Sequence, residues 1–134
     1  MTDRNPMKPS VEMAVAELRT NFPGRVDVTE IGDGGVKVIV RGLSLAGSPY
    51  IQPDTWCGFT ITYVHPYADI YPHFVRRDLS RRDGRSFGQG FHPDRDFYDD
   101  NALMLSRRTK LLGNDNPVSA LLKLEKVMKW LISQ

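Results

Sequence analysis

The first thirty residues contain no basic start followed by an apolar segment long enough for a secretory leader or a membrane span. A soluble, cytoplasmic protein without membrane contact is therefore expected. There is one cysteine, Cys57, which excludes an internal disulfide and a cysteine-based zinc cluster. No strong excess of either charge is present: 18 Lys and Arg stand against 16 Asp and Glu, a formal net charge of +2 that gives no general attraction to nucleic acid. Histidines number three, and His65 and His73, eight positions apart, match no recognised zinc spacing. No carboxylate pair completes a facial triad with them, so neither a metal nor a cofactor is expected. Repeats and low-complexity tracts are also missing. What remains is an ordinary globular composition in 134 residues, 40% hydrophobic and 25% charged, enough for a single packed core.

The apolar pattern divides the chain. Residues 1–9 are polar with two prolines and read as a flexible tail, leaving 10–134 as the domain. Val11, Ala14, Val15 and Leu18 fall at i, i+3, i+4 and i+7, an amphipathic helix that Ser10 can cap and Phe22-Pro23-Gly24 stops. The period then changes to two: Val26 and Val28, a Gly32-Asp33-Gly34-Gly35 turn, and Val36, Val38 and Val40 predict a β-hairpin. Phe59, Ile61 and Tyr63 alternate with threonines in a third strand, starting as early as Trp56, and a meander is the simplest joining. An irregular region follows, with His65-Pro66, Tyr71-Pro72, a short Phe74-Val75 segment and an Arg/Gly-rich loop over 76–90. Beyond the His92-Pro93 turn and an acidic loop, Ala102–Leu105 is a short apolar run. Asn116 and Pro117 then predict the start of a last helix with a broad apolar face that includes Leu121, Leu124, Met128 and Leu131. The expected class is α+β, with helices packed on an antiparallel sheet.

That order of motifs resembles the core of ubiquitin-conjugating enzymes, the UBC fold: an N-terminal helix, a meander, Tyr71-Pro72, His92-Pro93-Asp94, a long loop and a terminal helix. The resemblance covers Ser10 to Gln134. It implies a loop-rich active-site region ahead of the C-terminal helix, and the stop after that helix is similar to compact bacterial relatives. His92-Pro93-Asp94 would match the family's His-Pro-Asn motif, with His92 bonded to backbone in the loop.

The departures from the family pattern are chemical. The resemblance implies a nucleophilic cysteine at Ala102, ten residues beyond His92, and a methyl group forms no thioester. Neighbouring Asn101, Leu103 and Met104 offer no thiol. The asparagine that would stabilise the oxyanion is Asp94, whose carboxylate repels negative charge unless protonated. Cys57, far from this loop in sequence, reads as a small buried hydrophobe.

Three functional expectations follow. The first is a non-catalytic protein of a bacterial ubiquitin-like conjugation pathway, binding a ubiquitin-like protein or its activating enzyme. In that case the resemblance implies docking on the first helix near Arg19, while Arg107 and Arg108 are placed to hold the carboxylate-bearing tail of a partner. The second is an active transferase held in a Cys-to-Ala form. The third, on an unrelated scaffold, is nucleic-acid binding through Arg76, Arg77, Arg81, Arg82 and Arg85, a reading weakened by the interspersed Asp78 and Asp83. Asp94, Asp96, Asp99 and Asp100 read as a solvated acidic surface rather than as catalytic acids.

Overall fold

A computed structural model describes residues 6–109 and 117–134. Two helices and six strands follow the order α1 (Pro9–Asn21), β1 (Val26–Glu30), β2 (Val36–Ser44), β3 (Asp54–Ile61), β4 (His73–Val75), β5 (Phe91–Phe97), β6 (Asp100–Leu105) and α2 (Ala120–Ile132). The strands form one antiparallel sheet in the order β1-β2-β3-β4-β6-β5. The class is thus α+β, as the periodicity predicts.

The alternating valines of β2 explain how the core is assembled. Val36, Val38 and Val40 are buried on one face, and pairing with β3 in register sets Cys57, Phe59 and Ile61 beside them. The helical stripe Val11, Ala14, Val15 and Leu18 packs onto this face, as do Leu124, Val127 and Leu131 of α2. Gly32 and Gly34, at φ 92° and 100°, supply the left-handed residues that the β1–β2 turn requires. Tyr50, fully buried, bridges the long β2–β3 connection to α2 by donating from its hydroxyl to the Leu131 carbonyl at 3.2 Å.

Several local expectations need correction. Ser10 does not cap α1: the cap position is Lys8 with Pro9 in the first turn, and the Ser10 hydroxyl donates instead to the His65 carbonyl at 2.7 Å. Of the tail expected over 1–9, the described part is attached, since Lys8 N–H donates to the Gly34 carbonyl at 3.0 Å and Pro9 is already helical. Asn116 lies outside the described residues, and Pro117 precedes the helix rather than opening it. The helix starts at Ala120, where Ser119 accepts from Leu122 N–H at 3.2 Å. Leu122, although apolar, lies outside the buried stripe of this helix and is exposed.

The largest correction concerns 91–105. A His92-Pro93 turn and an acidic loop are expected ahead of the Ala102–Leu105 apolar run, yet Phe91–Phe97 and Asp100–Leu105 pair as a hairpin with a two-residue Tyr98-Asp99 turn, and the apolar run is the end of its second strand. Its edge strand carries a register shift between His92 and Arg95, with Pro93 and the left-handed Asp94 (φ 56°) in the bulge. Proline and a bulge are tolerated there because an edge strand needs to pair on one side only. The Arg/Gly-rich segment before it does remain without regular structure over most of its length.

Candidate functional site

Alternation along β6 sends Leu103 and Leu105 into the helix-covered core and Ala102 and Met104 to the opposite face. On that outer face Phe97 reaches back over the sheet from the hairpin tip. It stacks on Phe74 with ring centroids 4.8 Å apart, lies 6.3 Å from Trp56, and covers Gly58, whose missing Cβ leaves room for the ring. Tyr98 secures the tip: its hydroxyl is 2.8 Å from Thr60 Oγ1, and Lys37 Nζ sits over both the Tyr98 and Phe97 rings. These contacts hold Tyr98 at φ 54°, a conformation rare for a non-glycine residue. Ala102 therefore lies beneath a roof of Phe97 and Phe74 with no exposed surface.

The other residues expected around a nucleophile are dispersed along the hairpin. His92 pairs with Met104, two rungs from Ala102. Its Nε2 lies 2.9 Å from Ser106 Oγ, a side-chain hydroxyl rather than the backbone group expected. Asp94 is exposed and lies 3.6 Å from Arg77, so its carboxylate is spent on a surface ion pair. Asn101 donates to Asp96 Oδ1 at 3.2 Å on the exposed edge. Cys57 is fully buried in the core, and burial raises its thiol pKa well above the ordinary value, the opposite of a reactive cysteine. Among the described residues no group of histidine, cysteine and carboxylates is gathered as a metal site.

The arginine-rich loop is largely neutralised from within. Arg76 forks onto Asp78, Arg81 onto Asp83 at 3.1 Å, and Asp83 also lies 3.9 Å from Arg85. The hydrogen bond from Arg81 draws Asp83 down to about 2, and that from Arg76 lowers Asp78. Arg82 points to the Ser48 carbonyl at 3.4 Å. A polyanionic backbone meeting this loop would have to displace carboxylates already seated, so the geometry disfavours the nucleic-acid reading. Arg77 and Asn101 do line an outer-face cleft of about 590 Å³ with Ile39 and Trp56, but its cations too are matched, Arg41 by Asp27, Arg76 by Asp54 and Asp78, and Arg77 by Asp94.

A different electrostatic balance holds where the chain leaves β6. The Arg107 guanidinium lies over the Trp130 ring at 4.7 Å from its centroid, and that of Arg108 over Tyr71 at 3.9 Å. Neither has a carboxylate partner among the described residues. With Lys126 they line a recess of about 240 Å³ against α2. Arg19, in the exposed last turn of α1, is not part of it.

Beneath the recess is a buried charge that the sequence reading missed. Lys123 Nζ donates to the Arg107 carbonyl at 2.7 Å, to Thr109 Oγ1 at 2.6 Å and to Asp69 Oδ2 at 3.4 Å. Its 3.1 Å contact with Asp69 Oδ1 is an ion pair off the hydrogen-bond direction. Asp69 Oδ2 also accepts from Thr109 N–H at 2.7 Å. Burial lowers the Lys123 pKa, opposed by Asp69. The ammonium thus clamps the backbone of 107–109 onto α2 and fixes where the two arginines stand. A signal for it exists in the sequence, because Lys123 falls on the stripe Ala120, Leu124, Val127, Leu131, where a charge must find buried partners. The chain order gives no comparable hint for Trp130, which joins the recess only by folding.

No helix among the described residues is long and apolar enough to cross a membrane. Comparison with protein-family models, with curated proteins and with solved structures finds no match for this chain.

Proposed function

We propose that the chain is a binding domain of the ubiquitin-conjugating kind without a carrier thiol, engaging a ubiquitin-like protein or its activating enzyme in a bacterial conjugation pathway. The motif order supports the family part of this reading: a first helix, a meander, Tyr71-Pro72, His92-Pro93 and a last helix. The non-catalytic part is carried by one observation. Position 102 is a fully buried alanine under Phe97 and Phe74, so it presents no atom to a partner's carbonyl, and Cys57 is equally inaccessible. The exposed Arg107 and Arg108, which have no carboxylate partner among the described residues, support a binding role, since their N–H donors suit a partner's carboxylate.

The test separates this reading from a transferase held in Cys-to-Ala form. In Ala102→Cys, native protein is expected to react with a thiol-specific aromatic disulfide only after denaturation, at both Cys57 and the new thiol, as mapped by mass spectrometry. Rapid labelling of the native variant, or a reductant-sensitive thioester on incubation with activating enzyme, ubiquitin-like protein and ATP, would establish the transferase instead. For the binding half, the full chain should comigrate on size exclusion with a bacterial ubiquitin-like protein or its activating enzyme. Comigration with neither defeats the proposal.

A further inference from the structure

We propose that the recess of Arg107, Arg108, Lys126 and Trp130 binds an acidic peptide C-terminus, its α-carboxylate and one acidic side chain engaged together. The inference rests on the reading of the chain as a binding domain and specifies the chemistry of the segment it takes.

Charge is the first argument. Arg41, Arg76, Arg77 and Arg81 are each matched by an aspartate, whereas Arg107 and Arg108, like Arg19, Arg25, Arg82 and Arg95, have no carboxylate among the described residues; what sets Arg107 and Arg108 apart is that they share one recess with a third cation, Lys126. The partners of the two arginines are aromatic rings. A ring contact consumes no N–H donor, and neither guanidinium donates a hydrogen bond among the described residues, so these donors are open to an anion. Two guanidiniums held against rings and the exposed Lys126 ammonium therefore offer three positive groups to whatever enters.

Geometry then selects among anions. Arg107 is held against Trp130 of α2 and Arg108 against Tyr71 of the segment before β4, so consecutive residues bring two guanidiniums, anchored on different elements, to one recess. Two carboxylates on a short peptide suit that arrangement better than a single compact phosphate. The volume of about 240 Å³ lies below the roughly 300 Å³ at which small-molecule sites begin, so it fits the end of a chain rather than a cofactor. Val127 and Trp130 supply an apolar wall for the aliphatic part of the last residue.

Rigidity is the third argument. Lys123 fastens the Arg107 carbonyl and the Thr109 hydroxyl, and Asp69 fastens the Thr109 amide. A site already ordered in the free protein loses less entropy when a flexible tail docks.

The experiment is an NMR titration of the full chain with N-acetyl-alanyl-glutamate, following the two tryptophan indole N–H signals. Trp130 lines the recess and Trp56 the outer-face cleft, so the second is an internal control. The expected result is a saturable shift of Trp130 without one of Trp56. Amidating the C-terminus, or replacing glutamate by glutamine, should each weaken binding about tenfold, as should Arg108→Gln and Lys126→Gln, by loss of a charge-assisted contact. Both residues are exposed, and unchanged melting temperatures would confirm intact folds. Equal binding of the amidated peptide, tighter binding of inorganic phosphate, or no saturable Trp130 shift overturns the proposal. The peptide reports on the recess alone, whereas comigration of a whole partner reports on the binding-domain reading, so the two can fail separately.

Discussion

Acidification provides a quantitative test of how this core is built. His73 lies on β4 with its ring against Phe59, centroids 5.1 Å apart, and no exposed surface. Neither ring nitrogen has a hydrogen-bond partner among the described residues. Burial, reinforced by the Lys123 ammonium and opposed by Asp69, lowers its pKa from 6.5 to about 3. The folded state therefore holds His73 neutral. Above pH 6.5 the unfolded chain is neutral there too, and stability is unaffected by this group. As pH falls from 6.5 towards 3, the unfolded chain binds a proton that the fold refuses, and stability is lost. At 1.36 kcal/mol per unit the full loss is about 5 kcal/mol, and at pH 4 it is already about 3 kcal/mol. Urea denaturation of wild type and His73→Leu at pH 7 and pH 4 measures it. Aspartates such as Asp78 and Asp83 weaken both proteins in acid, so their contribution cancels in the difference. The wild type should lose about 3 kcal/mol more than the variant between these pH values. An equal loss in both would refute a buried neutral histidine.

Two further outcomes follow from the packing. Gly58→Ala places a methyl group in the space occupied by the Phe97 ring, so the roof must lift; a loss of about 1–3 kcal/mol in denaturant midpoint analysis is expected, with increased near-ultraviolet mobility of Trp56. Ser119→Ala removes the acceptor for Leu122 N–H at the start of α2 and should cost about 1 kcal/mol by thermal or urea unfolding, with the recess arginines still in place.

Legibility tracked how local the physical cause was. The stripe of α1 and the valines of β1 and β2 announced their elements because helix and strand impose different periods on buried positions. The hairpin of β5 and β6 was hidden. Its turn is Tyr98-Asp99 rather than an Asn-Gly pair, its edge strand contains Pro93, and its exposed residues are charged, all of which read as loop. Tyr98 is tolerated at positive φ through contacts with Thr60 and Lys37, which are distant in the chain.

The candidate site divides the same way. Sequence alone established that Ala102 carries no thiol and that Arg107 and Arg108 stand together just beyond the Ala102–Leu105 apolar run. It also suggested that the 76–85 arginines would be offset by nearby aspartates, since those pairs are neighbours along the chain. Whether position 102 faced a partner or a roof was decided by tertiary structure, because one residue of register moves a side chain to the other face of a sheet. Tertiary structure also assembled the recess. Arg107 and Arg108 meet Lys126 and Trp130 of α2 there, Tyr71 holds Arg108 from a third segment, and Lys123 and Asp69 fix the meeting point through a buried ion pair that no local pattern encodes.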